Sequence, residues 1–169
     1  MIIVLQIVLC LGTVVAQATL STWLSVNNIY PDLCLILACI VGFLTNEYKG
    51  LMIGLTIGLF QDLLAPGGIG LNMILKGLAG FLAGMTTHTV STVTTAAVVI
   101  VTLVLSLGCG FASLIVAYPV LDGPDALHAI SWTLVTQALY NSLLAAGIFW
   151  LTHKVRHSFG VVHFAQGRR

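Results

Sequence analysis

Three long stretches of this sequence contain no formally charged side chain, and they constrain the fold more than any other feature. They cover residues 1–31, 77–121 and 126–153. A helix that crosses a bilayer needs about 20 consecutive apolar residues, whereas a stretch of this length in a soluble domain is normally interrupted by charges. The charge pattern therefore predicts helices that cross a membrane several times.

The composition excludes most other classes of protein. Apolar residues make up 59% of the 169 residues, and Asp, Glu, Lys and Arg together make up 7%. Soluble domains carry about 25% charged residues, so this chain has too few charges to cover a water-facing surface. Six basic residues against five acidic residues leave no basic field for nucleic acid. An ordinary soluble enzyme, a disordered segment and a nucleic-acid binder are thus excluded, and the lipid bilayer becomes the main surrounding of the chain.

Clusters of turn-forming residues divide the sequence into six candidate helices. We predict an all-α membrane protein, a polytopic bundle of six transmembrane helices in one domain over residues 1–153, followed by a short basic cytoplasmic tail at 154–169. The first segment is interpreted as a retained helix because no Lys or Arg precedes it. The second, third and fourth helices have only about 15 residues, or roughly 22 Å, so the pair around Pro66 could instead form a re-entrant hairpin. The predicted helices cover residues 2–24, 31–45, 51–65, 71–86, 95–118 and 127–153.

The charges that flank the helices predict an orientation. Six crossings place both termini on one side of the membrane, together with five of the six basic residues: Lys49, Lys154, Arg156, Arg168 and Arg169. The acidic residues Asp32, Asp122 and Asp125 fall on the opposite side. Because cytoplasmic loops are enriched in Lys and Arg, we expect both termini in the cytoplasm.

Asp62 and Lys76 are charged residues that fall within predicted helices. If those two helices form a hairpin about Gly68, both side chains lie at a similar depth. Lone charges in hydrocarbon cost several kcal/mol, so we predict an Asp62–Lys76 ion pair that closes the hairpin. The alternative is that each side chain extends separately to the outer headgroups. Gln61 and Asn72 add polar groups to the same region, and Asn72 is a candidate cap for the fourth helix.

A polar stripe is expected on the last helix. Thr133, Gln137 and Asn141 recur every four residues and therefore share one face. Polar side chains on a membrane helix normally face the bundle interior. The stripe could line a ligand cavity, but we favour hydrogen bonding between helices.

Glycines at spacings of three and four residues predict close helix packing. Rows of this kind give a flat stripe that another backbone can approach. We interpret them as intramolecular packing of the third helix on the fourth, with contact to a partner's membrane helix as the second interpretation. Gly67 and Gly70 belong to the turn between these helices. The rows consist of Gly50, Gly54 and Gly58 on the third helix and Gly77, Gly80 and Gly84 on the fourth.

The residue patterns do not favour catalysis, a metal site or a cofactor. H-E-x-x-H and G-x-S-x-G do not occur in the sequence, and one Asp lies well inside a predicted span. His153 and His157 have a spacing that could hold a metal, but no Cys or acidic residue stands near them in sequence, so we expect headgroup-level side chains. The four cysteines lie in apolar segments and are expected to be reduced packing residues.

The segment from residue 31 to residue 84 resembles the MreD family, the rod shape-determining membrane proteins of bacteria. Pro31-Asp32-Leu33 opens the second helix, and the third carries G-x-x-x-G-L-x-Q-D-x-L over residues 54–64. Gly67 to Asn72 then gives G-x-x-G-L-N. The positions that match the family pattern are Gln61, Asp62, Gly67, Gly70 and Asn72, which we interpret as shaping the hairpin.

The resemblance implies a function that composition could not show. MreD-like proteins are non-enzymatic members of the cell-elongation machinery in the bacterial cytoplasmic (inner) membrane, and they help to regulate sidewall peptidoglycan synthesis. It implies a direct membrane contact with the bitopic protein MreC, and indirect links to MreB, to RodA and to RodA's penicillin-binding partner. It also implies a fold similar to the S-components of energy-coupling factor transporters.

That fold supplies an alternative function, a small-molecule (vitamin) binding subunit of a transporter. S-components usually carry an A-x-x-x-A contact on the first helix, whereas Ala16 and Ala18 here are two residues apart. A third interpretation, a membrane enzyme, would need a partner or an external cofactor to supply its chemistry.

Overall fold

The computed structural model describes residues 2–20, 23, 29–64, 70–89, 93–117 and 124–158. All elements in these ranges are α-helices, which confirms the all-α class and the expected six helices. In chain order they are α1 (Ile2–Leu20), α2 (Leu33–Leu44), α3 (Glu47–Leu64), α4 (Leu71–Thr89), α5 (Thr95–Ala117) and α6 (Pro124–Ser158).

Two helices begin earlier than the sequence predicted. Residues 46–50 fall between the predicted second and third helices, but they form the first turn of α3. The Asn46 side chain accepts a hydrogen bond from the Lys49 N–H at 2.9 Å, and its carbonyl accepts one from the Gly50 N–H at 3.0 Å, so Asn46 is the N-cap. At the start of α6, Pro124 takes the first helical position, where its missing N–H leaves no hydrogen bond unmade.

The last helix extends past its predicted end at residue 153. α6 continues to Ser158, so residues 154–158 are helical, and residues 159–169 lie outside the described ranges. At 1.5 Å per residue α6 is about 52 Å long, which exceeds the roughly 30 Å hydrocarbon core.

Helices α2, α3 and α4 form the centre of the molecule. α3 and α4 pack antiparallel, α2 packs against both, α5 and α6 form a second hairpin beside them, and α1 contacts α3 and α2. The main apolar core joins α2, α4, α5 and α6 through side chains such as Ile36, Phe43, Ala83, Val98 and Phe149. A smaller cluster on the other side of α2 contains Cys10, Val14, Cys34 and Ile57.

The two glycine rows meet each other at the interface of α3 and α4. A Cβ added to Gly50, Gly54 or Gly58 would collide with the α4 backbone at Gly80, Lys76 or Asn72, respectively. From the other side, Gly80 meets the Gly50 backbone and Gly84 meets Glu47, while Gly77 faces the Leu55 side chain. Both rows are therefore used within the molecule, and they set the short distance between the two backbones.

The cysteines lie where packing was expected. Cys10, Cys34 and Cys39 are buried and Cys109 is partly buried, and all four are free thiols. Cys39 belongs to the main apolar core, and Cys109 packs against its edge. The four cysteines therefore pack in the way that small apolar residues do.

Large apolar side chains also cover the outside of the bundle. On α5, Ile100, Val104, Phe111 and Ile115 are each about 60% exposed and recur at helical spacing. Within the described residues, the stretches Thr95–Val116 and Ile130–Val155 are long and apolar enough to cross a bilayer. Apolar side chains exposed over this much of the exterior fit lipid as the surrounding solvent.

α2 is short, and its start lies deep in the bundle. Its 12 residues measure about 18 Å, less than the hydrocarbon core. The backbone N–H of Asp32 bonds to Asn141, which lies 17 residues from either end of α6. Asp32, expected at the outer end of the second helix, is therefore level with the middle of α6. The six crossings themselves remain a prediction.

Candidate functional site

Polar side chains from α3, α4, α5 and α6 converge on the start of α2. We call this set the polar cluster. Lys76 is 4% exposed, Asp62 5% and Asn141 1%, so the cluster lies inside the protein rather than on its surface. Burial of such groups is tolerated only when they are paired or hydrogen-bonded. The polar cluster consists of Asp32, Asp62, Asn72, Lys76, Ser106 and Asn141.

Asp62 caps α4 from the neighbouring helix. Its carboxylate accepts hydrogen bonds from the backbone N–H groups of Gly70 (2.9 Å), Asn72 (3.2 Å) and Met73 (3.0 Å). It also accepts one from the Asn72 side-chain amide at 2.9 Å. A helix start leaves its first N–H groups without partners and carries a partial positive charge, so a carboxylate there stabilises it twice. The expectation that Asn72 caps α4 was wrong: Asp62 does so.

Gly70 makes this cap possible. Its φ is +112°, a backbone conformation that residues other than glycine rarely adopt. Gly70 directly precedes α4, and in this conformation its N–H donates to Asp62. Gly67, the other glycine of the predicted turn, lies outside the described residues.

Lys76 pairs with Asp32, not with Asp62. Its ammonium nitrogen lies 3.1 Å from Asp32 Oδ2 and donates a second hydrogen bond to Asn72 Oδ1 at 2.7 Å. The predicted Asp62–Lys76 ion pair was therefore wrong. The physical reason is that the Asp62 oxygens are already occupied by the N–H groups of α4, while Asn72 bridges the two charged groups through the opposite ends of its amide.

Three side-chain amides hold the non-helical segment that leads into α2. From α1, Gln17 donates to the Pro31 carbonyl at 3.0 Å and accepts from the Leu33 N–H at 2.7 Å. From α6, Gln137 donates to the Tyr30 carbonyl at 3.0 Å, and Asn141 accepts from the Asp32 N–H at 2.8 Å. Backbone groups held away from water need hydrogen-bond partners, and these amides supply them.

The predicted polar stripe on α6 divides into two parts. Gln137 and Asn141 face the start of α2, and Asn141 also donates to Ser106 Oγ on α5 at 2.7 Å. Thr133, one turn earlier, is exposed. Asn141 bonds to another helix, as favoured from the sequence, whereas Gln137 bonds to the segment that precedes α2.

A small cavity lies beside the polar cluster. Its volume is about 130 Å³, and Lys76, Asp32, Gln137, Ser113 and Cys109 are among the residues that line it. At about 30 Å³ per molecule, the cavity has room for roughly four waters. Typical pockets for drug-sized ligands measure about 300–1,000 Å³, so this cavity is small for a vitamin.

Three contributors were missed from the sequence. Gln17 and Ser106 were not singled out, and Asp32 was treated only as a residue at the start of the second helix. Gln17 could have been found from the sequence, because it is an amide in an otherwise apolar helix. A polar side chain in such a helix typically faces the interior of the bundle. Gln61, which was singled out, has a buried side-chain oxygen with no hydrogen-bond partner among the described residues.

The histidines form no metal centre in the part of the chain that is described. There, no three His, Cys, Asp or Glu side chains come together as possible ligands. His153 is exposed and lies near Phe149, with ring centroids 6.5 Å apart.

Comparison with known proteins places this helical bundle in a family. The sequence model of the rod shape-determining protein MreD matches residues 1–155 of the 169-residue chain, a range that includes the whole polar cluster and both glycine rows. No curated protein and no solved structure matches the chain significantly, so the likeness to S-components rests on the family resemblance alone. Because the match covers more than half of its length, the chain belongs to the MreD family of rod shape-determining membrane proteins.

Proposed function

We propose that this chain is a non-enzymatic membrane scaffold of the bacterial cell-elongation machinery. In this role it contacts MreC within the membrane and regulates sidewall peptidoglycan synthesis through it. MreB, RodA and RodA's penicillin-binding partner are reached indirectly. The family match over residues 1–155 is the observation that carries this proposal.

The bonding within the polar cluster supports a structural role. Asp62 accepts four hydrogen bonds from the α4 start, and Lys76 is shared between Asp32 and Asn72. A catalytic acid or nucleophile needs a reacting group within its reach, whereas these groups bond to one another and to the backbone. We infer that they fix the relative positions of α2, α3, α4 and α6.

The surface that meets MreC is proposed to be the groove between α5 and α6. The glycine rows are occupied by the α3–α4 contact, so the partner needs another apolar flank. An apolar groove of about 450 Å³ between α5 and α6 is lined by Leu107, Gly108, Phe111 and Val135, among others. A Cβ added to Gly108 would meet open space, so a partner helix can approach the backbone there.

The functional test is restoration of rod shape. A rod-shaped bacterium depleted of its own family member receives this chain with its cognate MreC, and the cell length-to-width ratio is measured. We expect rods with the unaltered chain and rounded cells without it. Rounded cells despite normal amounts of both proteins in the membrane would contradict the proposed function.

The contact test is capture of MreC in mild detergent. Val135→Trp, which fills the α5–α6 groove, should reduce capture at least severalfold. Leu143→Trp is a matched control, because Leu143 is exposed on α6 and does not line the groove. Full capture of an MreC variant whose membrane helix has been replaced would show that the contact lies outside the bilayer.

The vitamin-binding alternative is tested in the same preparation. The candidate site for such a ligand is the 130 Å³ cavity beside the polar cluster. If mass spectrometry of the purified chain reveals a small molecule bound in stoichiometric amount, the transporter function is favoured over the scaffold.

A further inference from the structure

An apolar groove runs between α1 and α3 on the side away from α4. Its volume is about 500 Å³, and Ile7, Met52, Ile53 and Phe60 supply much of its apolar wall. Three polar side chains, Gln6, Tyr48 and Lys49, gather at the end where α3 begins. The groove therefore has a polar head and an apolar body.

Lys49 carries a positive charge at the head of this groove. Its side chain is exposed, and no acidic side chain among the described residues lies within ion-pair distance of its ammonium group. A basic residue beside a cleft between membrane helices attracts anionic lipid headgroups. Tyr48 and Gln6 add hydrogen-bonding groups at the same end.

The length of the groove matches one leaflet of a bilayer. From Tyr48 to Phe60 is 12 residues of α3, or about 18 Å. Half of a hydrocarbon core of about 30 Å is roughly 15 Å. An acyl chain whose headgroup lies at Lys49 would follow the groove to its apolar end, whereas a partner's transmembrane helix would have to continue through the second leaflet.

We propose that the α1–α3 groove binds an anionic phospholipid, with its phosphate at Lys49 and one acyl chain along α3. The lipid covers an apolar wall that α1 and α3 leave open. The site is distinct from the α5–α6 groove proposed for MreC, and its test needs no partner protein.

The experiment measures lipid binding to the purified full chain by native mass spectrometry in detergent. The probes are phosphatidylglycerol and phosphatidylcholine with identical acyl chains. We expect tighter binding of phosphatidylglycerol, and Lys49→Gln should weaken it about fivefold, towards the level of phosphatidylcholine. Lys154→Gln is the matched control: Lys154 lies on α6, 5.0 Å from the centre of the Trp150 ring, and should not affect this site.

A second pair of variants tests the acyl-chain position. Met52→Trp places a large ring in the groove at a residue that is 59% exposed, so the fold should tolerate it. It should lower the binding of both lipids, whereas Leu63→Trp, at an exposed α3 residue outside the groove, should not. Thermal unfolding of all four variants serves as the check on folding.

Several results would overturn the proposal. Equal binding of the two lipids by the unaltered chain would contradict the proposed headgroup site. Equal losses of phosphatidylglycerol binding with Lys49→Gln and Lys154→Gln would contradict it as well. If Met52→Trp leaves lipid binding unchanged but prevents capture of MreC, the groove is a protein-docking surface. Rounded cells in the functional test would leave this lipid assay unaffected, so the two proposals fail separately.

Discussion

At the scale of single residues, the buried charges act by hydrogen bonding and pairing within the fold. Asp62 completes the start of α4, and the Asp32–Lys76 pair connects the start of α2 to α4. Breaking a buried ion pair leaves one charge uncompensated, which costs more than the pair itself contributes. The choice of partner for Lys76 is therefore measurable.

A double-mutant cycle distinguishes the two possible partners. Lys76→Met alone should destabilise the protein by up to about 3 kcal/mol, because the partly buried Asp32 is left without its cation. Combined with Asp32→Asn, it should cost clearly less than the sum of the single changes. Stability is measured as the free energy of unfolding in detergent.

Asp62 provides the comparison arm of that cycle. Asp62→Asn replaces an acceptor by a donor that faces backbone N–H groups, so we expect a loss of roughly 2–3 kcal/mol. Combined with Lys76→Met, its effect should be closer to additive, apart from coupling through Asn72. Stronger coupling of Lys76 to Asp62 than to Asp32 would contradict the observed pairing.

At the scale of helices, the α3–α4 hairpin depends on backbone contact. Each glycine of the α3 row faces the α4 main chain, where a Cβ has no room. The polar cap at Asp62 lies at the turn of the same hairpin, so both features hold α3 and α4 in one register.

Gly54→Ala tests this contact. The new Cβ would lie 2.6 Å from the Lys76 carbonyl carbon, so the two helices must separate, at a cost of about 1–3 kcal/mol. Gly147→Ala on α6 is the control, because nothing lies within 4 Å of its added Cβ, and Ala should raise helix stability slightly. Thermal unfolding in detergent measures both, and equal melting temperatures would show that the row is not packed as described.

At the scale of the whole molecule, helices of unequal length meet at the polar cluster. Ser106 lies 11 residues from either end of α5, and Asn141 is likewise central in α6, yet both approach the first residues of α2. α5 and α6 therefore continue past the start of α2. Protein amides replace water for the non-helical segment at this depth.

Topology is the prediction that belongs to this scale. Six crossings with cytoplasmic termini require that green fluorescent protein fused after Arg169 fluoresces and that alkaline phosphatase inserted after Asp122 is active. The physical reason is the concentration of Lys and Arg on one side. An active phosphatase at the C-terminus would place that terminus outside the cytoplasm and contradict this topology.

The sequence by itself determined the helical class, the six helices, the glycine contact of α3 with α4, and the resemblance that the family match bears out. These properties follow from local patterns: charge-free runs, turn residues and helical spacing. Helix ends were less predictable, because α3 and α6 begin at Glu47 and Pro124, ahead of the predicted residues 51 and 127.

Only the tertiary structure decided which polar groups meet. Lys76 had two acidic residues available, and the sequence distance to Asp62 favoured the wrong one, because pairing depends on the three-dimensional packing of α2 against α4. The amides of Gln17, Gln137 and Asn141 converge on one segment from two helices that are far apart in sequence. The hydrophobicity of a segment and its helical periodicity depend on residues that are close in sequence. The hydrogen-bond partners in a bundle depend instead on how the helices pack.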